Sequence, residues 1–506
     1  MTIAPALLPL LMAGPLLLAG LLVIVRQALL ERILLLAVPA ASLVTGVALL
    51  LQHRHEPVIA HQVGGYLPGV AIPFVSDTLA ALMITVTATA ALACVSFLIA
   101  TGEDRYRFLP PLVLMMLGGV NGAFLTGDLF NFFVMIEVMV LPSYALIAVT
   151  GTWRRLGIGR TFVIINLLTS ALLVMGVGLV YGTTGTVNLA QLAGAATDEP
   201  TVAVAAAVVL LAMAIKAAVV PVHGWLPQTY PGTSAGIMAL FSALHTKVAL
   251  YAIYRVYATV FEGSAPWALV LTLLVALTIV VGAYSTFGEH IMRRALAWQM
   301  VAGVGHILVG VVLFTELALA AGLFYMLHHI VTMAALLLLS GAIEQTYGSG
   351  RYERLSGLMH RDGWVAIWYA FALLSLVGIP PSAGFFGKLG LITSSAAAGT
   401  WEGWLMLTLV LVAAVASLVA MQRLWAGVFW GPPMETYRPD SPRTGRGRSV
   451  PLPDDVRVTR TLLAPGAALA AVQLAMFVGA GLLMPLVRRA AEGLVDTAPY
   501  VQAVLG

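Results

Sequence analysis

Charged residues and cysteine are both scarce in this sequence, and each shortage excludes a class of protein. Only 9% of the 506 residues are charged and 60% are hydrophobic, whereas about a quarter of a soluble domain is charged. Cys94 is the single cysteine, which excludes an intrachain disulfide framework and any CxxC metal or iron–sulfur site. No basic run alternates with aromatic residues, so no nucleic-acid partner is expected. The composition predicts an all-α polytopic membrane protein.

Lysine is almost absent. Of the 26 basic residues, only Lys216, Lys247 and Lys388 are lysines. All three lie within apolar segments, whereas the loops use arginine. Arginine stays charged at any accessible pH, but a lysine removed from water can lose its proton. The pattern therefore predicts three titratable amines at membrane depth.

Apolar windows of about 20 residues, the length that crosses the hydrocarbon core, predict about 14 transmembrane helices. The first window lacks a basic n-region and a cleavage site, so we expect a membrane helix there rather than a signal peptide. The windows span approximately residues 5–25, 33–51, 76–100, 108–126, 128–150, 161–181, 202–222, 236–257, 266–286, 295–314, 318–343, 364–397, 403–430 and 461–487.

The arginine content of the loops alternates along the chain. The loops after windows 1, 3, 5, 9, 11 and 13 are rich in arginine, whereas those after windows 2, 4 and 6 hold only Arg54. Cytoplasmic loops are enriched in basic residues, so the odd-numbered loops are expected in the cytoplasm and both termini outside. Arg488 and Arg489, after the last window, contradict this orientation.

Two windows contain interruptions. The seventh ends in VVPVHGWLP, just after Lys216, and the long twelfth contains Gly378, Pro380 and Pro381. Paired interruptions at membrane depth mark binding sites between transporter repeats, so we expect two inverted five-helix repeats, helices 4–8 and 9–13, with helices 7 and 12 interrupted. The predicted parts are residues 1–106 (helices 1–3), 107–258 (first repeat), 264–430 (second repeat), 431–460 (an irregular cytoplasmic linker) and 461–506 (helix 14 and the tail).

Glu137 is the only carboxylate well inside a window, and an ionised group there is usually functional. One interpretation is a structural ion pair with a lysine. The other is an acid–base pair, in which movement of the carboxylate relative to the amine loads or releases a proton.

Lys216 lies roughly 20 Å along its helix at 1.5 Å per residue. For each lysine, the structural alternative is an amine held by backbone carbonyls alone.

Five histidines lie in or at the ends of membrane windows, and histidine is the natural proton shuttle near neutral pH. Any single one is more easily explained as a hydrogen-bonded packing residue, but together they could line a polar axis that links the lysines. No metal-ligand spacing is present, so neither a metal site nor a cofactor is expected, and no residue is assigned a catalytic role. Asp77 and Asp128 begin helices, where a carboxylate complements the helix dipole. The five histidines are His223, His245, His306, His328 and His329.

Three stretches make a family resemblance visible: TGDLFNFFVMIEVMVLPSYALI (126–147), KAAVVPVHGWLPQTYPGTSAGIMALFSALHTKVALYAIYR (216–255) and GIPPSAGFFGKLGLI (378–392). They resemble the proton-translocating antiporter-like membrane subunits, and within that superfamily the D-subunit family of multi-subunit Mrp-type Na+/H+ antiporters. The resemblance covers nearly the whole chain.

The resemblance implies proton-translocating roles for Glu137, Lys216, Lys247 and Lys388. Relatives often carry a lysine on helix 11, where this chain has Met333, and His290 stands where an aspartate is common. His329, His328 or His306 are the candidates to replace the missing lysine.

The resemblance further implies a subunit of a cation/proton antiporter in a bacterial-type cell membrane, with H+ and Na+ as transported ions and other subunits as partners. A pump subunit of complex I or of a membrane-bound hydrogenase is the alternative. A self-sufficient small-solute transporter has no recognisable substrate pocket to support it.

Overall fold

The computed structural model describes residues 2–149 and 153–506, without the side chains of residues 153, 154 and 443. Residue 150, the end of the fifth window, lies outside the described residues. Every predicted window contains a long helix. The long helices are α1 (Leu10–Ile24), α2 (Ala28–Gln52), α3 (Thr78–Ala100), α4 (Leu109–Leu125), α5 (Leu129–Ala148), α6 (Trp153–Thr184), α7 (Pro200–Ala217), α8 (Ala235–Phe261), α9 (Ala268–Ser285), α10 (Met292–Leu313), α11 (Glu316–Tyr347), α12 (Gly363–Val377), α13 (Ala383–Ala398), α14 (Trp401–Val428), α15 (Arg460–Val478), α16 (Ala480–Val495) and α17 (Ala498–Leu505).

The shorter elements lie in the connections. Two antiparallel hairpins are formed by β1 (Val58–Gln62) with β2 (Pro73–Asp77), and by β3 (Thr436–Tyr437) with β4 (Val450–Pro451). Short helical segments are Pro5–Leu7, Val63–Gly65, Glu103–Arg105, Ala195–Asp198, Val222–Gly224, Trp225–Thr229, Tyr230–Gly232, Thr286–Gly288, Tyr352–Arg354, Leu358–Arg361 and Ser441–Thr444.

Within the described residues, 12 helices are long and apolar enough to cross a membrane, and α4 and α12 are apolar but shorter. The protein is therefore an all-α polytopic membrane protein, as its composition predicts. The fourteen crossings and the inverted relation of the two repeats remain predictions.

The two predicted interruptions are both present. Helix α7 ends before Ala218, which has left-handed backbone (φ 64°), and α12 ends before Gly378 (φ 91°). A proline follows three residues later in each case, at Pro221 and Pro381. Because left-handed backbone ends a helix and proline cannot continue one, the chain leaves α7 and α12 inside the bundle. The twelfth window is completed by α13.

The last window contains a break that the apolar pattern did not reveal. It was expected to run to residue 487, but α15 ends at Val478 and α16 starts after Gly479. Helix α16 packs against α11 and α3, and Arg489 on it donates to the His53 carbonyl at 3.3 Å. Arg488 and Arg489 thus lie on α16, a helix separate from α15.

Both chain ends lie on one face of the bundle, called here the terminus face. The Ile3 amide donates to Oε1 of Gln52 at 2.8 Å, and Nε2 of Gln62 on β1 donates to the Val504 carbonyl of α17 at 2.7 Å. The opposite face, called here the arginine face, carries the segments 231–235, 291–294, 348–354 and 431–459.

The centre of the bundle consists of α8 and α11, whose hydrophobic stretches are buried along their whole length. Helix α11 packs against α8, α10, α12, α13 and α15. Three of the histidines and one of the lysines discussed above therefore lie on helices that are shielded from lipid on all sides.

A buried ion pair joins α8 to α3 near the terminus face. Arg255 Nη2 donates to Oδ2 of Asp77 at 2.6 Å, and Arg255 is 4% exposed. Oδ1 of Asp77 also accepts from the Ala80 amide at 2.9 Å, and Oδ1 of Asp128 accepts from the Asn131 amide at 2.7 Å. Both aspartates are therefore helix caps, as expected, and Asp77 has a second partner that its position in the sequence did not indicate.

We predict that Asp77→Asn destabilises the protein by about 3–5 kcal/mol, because it leaves the Arg255 charge buried without its partner. Asparagine keeps the capping acceptor, so the loss reports on the ion pair. The check is thermal unfolding of the purified protein in detergent. The double variant Asp77→Asn/Arg255→Met should recover most of the loss, and a single variant as stable as the wild type would contradict the prediction.

Candidate functional site

Glu137 and Lys216 are joined through a serine rather than in direct contact. The Ser170 hydroxyl on α6 donates to Oε1 of Glu137, and the Lys216 Nζ lies 3.4 Å from the Ser170 hydroxyl and 3.4 Å from Oδ1 of Asn166. Glu137 is half-buried, and Lys216 is 5% exposed. The predicted acid–base pair is thus brought together, with a hydroxyl between the two charges.

The local sequence explains how this arrangement is held. Asn166 and Ser170 are four residues apart, so they share one face of α6. Lys216 lies in the last turn of α7, where the Trp225 indole beyond the break donates to the Ile215 carbonyl at 2.9 Å. Asn166 and Ser170 were missed from the sequence, although two polar residues at helical spacing inside an apolar window were a usable signal.

His245 on α8 lies next to this group and is held by two hydroxyls. Its Nε2 is 2.8 Å from the Ser143 hydroxyl on α5, and its Nδ1 is 3.2 Å from the Tyr230 hydroxyl. The ring stacks on Phe241 at a centroid distance of 4.4 Å. The charge of Lys216 also acts on this ring, so Lys216 is called here an electrostatic neighbour of His245. Because both ring nitrogens have partners that can donate or accept, the ring can carry its proton on either side.

Lys247 is fully buried in α8, two residues after His245. Its hydrogen-bond partner among the described residues is the Thr246 hydroxyl at 3.1 Å. His329 on α11 is an electrostatic neighbour of Lys247. A lone buried amine with a single neutral partner is costly to keep charged, so this group suits a site that changes its protonation state.

The histidines of α10 and α11 form one cluster around Tyr325. The ring centroids of His306, His328 and His329 lie 5.2, 5.5 and 6.0 Å from the Tyr325 ring. His328 and His329 point in different directions, as expected for adjacent helical residues. His329 lies against Gly303 of α10, and His328 lies against Gly384 of α13.

Lys388 is held at the interruption between α12 and α13. Its Nζ donates to the Val377 carbonyl at 2.7 Å. That carbonyl lies in the last turn of α12, where no later turn of the same helix supplies an N–H to it. His306 and His328 are both electrostatic neighbours of Lys388. The break in the helix therefore supplies the lysine with its hydrogen-bond acceptor.

The predicted residues form a line from α5 to α13, with one exception. Contacts or neighbouring charges link Glu137, Lys216 and His245. They also link Lys247, His329, His306, His328 and Lys388. His245 and Lys247 join the two groups as residues two apart on α8. His223 stands apart, half-buried with its ring 5.6 Å from the Trp298 ring. Met333 is fully buried one helical turn after His329.

Among the described residues, several buried polar atoms on the helices of this line have no protein hydrogen-bond partner. They include Nε2 of His306 and of His328, both ring nitrogens of His329, and the hydroxyls of Ser242 and Ser375. Buried polar groups are normally satisfied, by water where protein atoms do not reach them. The arrangement can therefore hold and pass protons between groups of different basicity within a helical bundle.

Comparison with known proteins identifies relatives along the whole chain. The family described as NADH:quinone oxidoreductase/Mrp antiporter, TM, matches residues 126–415. The D-type subunit of the Na+/H+ antiporter of Alkalihalophilus pseudofirmus is 32% identical over 88% of both chains, and that of Bacillus subtilis is 31% identical over 99% of both. A chain of the Mrp complex of Dietzia sp. DQ12-45-1b is 43% identical, with a TM-score of 0.94 over 99% of both chains. A chain of the membrane-bound sulfane sulfur reductase, an archaeal respiratory membrane complex, is 26% identical, with a TM-score of 0.86 over 99% of this chain and all of that one.

We predict that Gly303→Ala destabilises the protein by about 1–3 kcal/mol, the usual cost of overpacking a core. A Cβ at this position would lie 2.0 Å from Nε2 of His329, so the imidazole would have to move. The matched control is Gly178→Ala on α6, where a Cβ meets no atom within 4 Å. Thermal unfolding should separate the two variants, and equal stability would contradict the placement of His329.

Proposed function

The chain belongs to the NADH:quinone oxidoreductase/Mrp antiporter family, and we propose that it is the proton-translocating D-type subunit of a multi-subunit Na+/H+ antiporter in the cell membrane. It acts as a transport subunit rather than an enzyme and works with other membrane subunits, with H+ and Na+ as the exchanged ions. The observation that carries the proposal is the line of buried lysines and histidines from Glu137 to Lys388.

The first step of the proposed relay uses the serine bridge. The Lys216 ammonium is held by the charge of Glu137 through the Ser170 hydroxyl. When Glu137 moves away or is neutralised, the buried amine loses the charge that favours its proton, and the proton passes on toward His245. Glu137 thus sets the occupancy of Lys216.

In each later step the proton likewise leaves a group whose charged form is no longer stabilised and passes to the next group. The proton moves from His245 to Lys247, then to His329 and the other two histidines of the Tyr325 cluster, and finally to Lys388. His329 takes the role that the resemblance gives to a helix-11 lysine, because the charge of Lys247 acts on it while Met333 offers no titratable group. Water at the unpartnered ring nitrogens completes the path.

The domain boundaries and the orientation are part of the proposal. The two inverted repeats, residues 107–258 and 264–430, each contain one interrupted helix. The first repeat carries three of the four key residues, and the second carries Lys388. The arginine face lies in the cytoplasm and both termini lie outside, in accordance with the positive-inside rule for every loop except the stretch that holds Arg488 and Arg489.

Glu137→Gln and Lys216→Ala should each abolish proton-coupled Na+ efflux by the reconstituted complex, because each removes one member of the charge pair. Exchange is measured as Na+-dependent decay of a proton gradient in proteoliposomes, and assembly is verified by co-purification of the other subunits. The matched control is Glu316→Gln, an exposed carboxylate at the start of α11. Wild-type exchange in either site variant would refute the proposal.

Variants of Ser170 test in the same exchange assay whether Glu137 and Lys216 communicate through its hydroxyl. Ser170→Ala removes the hydroxyl between the two charges and should slow exchange, whereas Ser170→Thr keeps a hydroxyl and should preserve it. Equal rates in these two variants would show that Glu137 and Lys216 do not communicate through this residue.

Orientation is testable because Cys94 is the single cysteine. In a Cys94→Ala background, Ser264→Cys on the terminus face should react with a membrane-impermeant maleimide in intact cells, and Ser449→Cys on the arginine face should react only after permeabilisation. Both serines are exposed. The reverse labelling pattern would invert the proposed topology.

A pump subunit of a respiratory complex is the second candidate, supported by the likeness to the sulfane sulfur reductase chain and to complex I of Thermus thermophilus at 25% identity. The higher identity to the Mrp complex favours the antiporter. Isolation of the native complex decides between the two, because an antiporter yields only membrane subunits and a respiratory complex yields iron–sulfur subunits as well.

A further inference from the structure

A cavity of about 740 Å³ opens on the arginine face. It lies between the loop before α8, the start of α10, the end of α11 and the linker 431–459. Its walls reach Gly341, which lies inside α11, and Ala235 at the start of α8. The arginines that line it, called here the arginine cavity, are Arg155, Arg293, Arg294, Arg351, Arg354, Arg438 and Arg446.

The positive charge of the seven arginines is only partly compensated. Outside the lining, Glu103 offsets part of the charge of Arg155 and Arg293, and Glu353 offsets part of that of Arg354. Glu344 is the one acidic residue among the described residues that line it, and its Oε2 already lies 2.8 Å from Nη2 of Arg293. Arg438 and Arg351 are like-charged neighbours of the exposed Arg354, opposed there by Glu353. Like charges are therefore held close together across the cavity.

Topology alone does not account for this concentration. The positive-inside rule places arginines in cytoplasmic loops but does not direct them into one concavity. Other arginines of the same face, such as Arg457 and Arg460, are exposed and do not line the cavity. The seven that do come from four separate stretches of the chain, so their convergence is a property of the tertiary structure.

We propose that the arginine cavity binds a phosphate-bearing anion, either the headgroup of an anionic lipid or a free phosphate compound. The guanidinium fork matches phosphate oxygens in a bidentate geometry. The volume is in the range of small-ligand pockets, about 300–1,000 Å³, and is larger than one phosphate needs. Basic pockets between helices at the cytoplasmic side of a membrane bind lipid phosphates, and a concavity that enters the helix bundle suits a headgroup better than a protein surface.

The test compares Arg351→Gln/Arg354→Gln with the charge-matched control Arg457→Gln/Arg460→Gln. All four arginines are exposed, so neither variant removes a buried group. Binding of cardiolipin and of phosphatidylcholine to the purified full-length protein is followed by native mass spectrometry, and binding of inorganic pyrophosphate by calorimetry. Neither readout depends on ion exchange.

The cavity variant should bind the anion about thirtyfold more weakly than the wild type, since each arginine near an anionic headgroup contributes roughly a fivefold factor, and the control variant should bind as the wild type does. Pyrophosphate binding that competes with cardiolipin identifies a free-phosphate site, and cardiolipin binding alone identifies a lipid site. Equal binding by the cavity variant and the control variant overturns the proposal. A cavity variant that binds both anions normally but loses a partner subunit also overturns it, and would show that the cavity is a protein-docking surface.

Discussion

A charged amine inside a membrane bundle requires a polar partner within hydrogen-bond distance, because neither lipid nor an apolar core can replace its water. The centre of this protein is arranged around that requirement. Lys216 has the amide of Asn166 and the hydroxyl of Ser170. Lys388 has the Val377 carbonyl at the end of a broken helix. Lys247 has only a neighbouring threonine hydroxyl among the described residues, and it is the amine that is least able to hold a charge without help.

The helix interruptions and the close helix contacts serve the same purpose. An intact helix would use the Val377 carbonyl internally, so the break at Gly378 is what makes an acceptor available to Lys388. Small residues let the imidazoles fit between helices, since a Cβ on Gly303 or Gly384 would collide with His329 or with the Ser375 carbonyl. The polar line is therefore built from backbone irregularity and close packing as much as from the titratable side chains themselves.

The division between lysine and arginine separates two kinds of electrostatics in one chain. The lysines are buried singly, where their protonation can change. Arginine, which keeps its charge, is used in the buried pair with Asp77 that ties α8 to α3 and in the arginine cavity of the opposite face. The ion pair of Arg255 with Asp77 stabilises the bundle. The arginines of the cavity present fixed positive charge to a bound anion.

Composition and pattern were sufficient for much of this protein. Apolar windows located every helix that is long enough to cross a membrane, and the Pro and Gly clusters located both interruptions. The isolated charges located Glu137 and the three lysines, because a lone charge in an apolar segment is visible without any contact. What the sequence could not show depends on residues far apart in the chain. The serine between Glu137 and Lys216, the convergence of three histidines on Tyr325, the separation of His223 from the line and the break at Gly479 are set by how helices pack, and packing brings together side chains that no local pattern relates. The arginine cavity is decided in the same way, since arginines that appear as ordinary loop residues in the sequence converge only when four stretches of the chain are folded against one another.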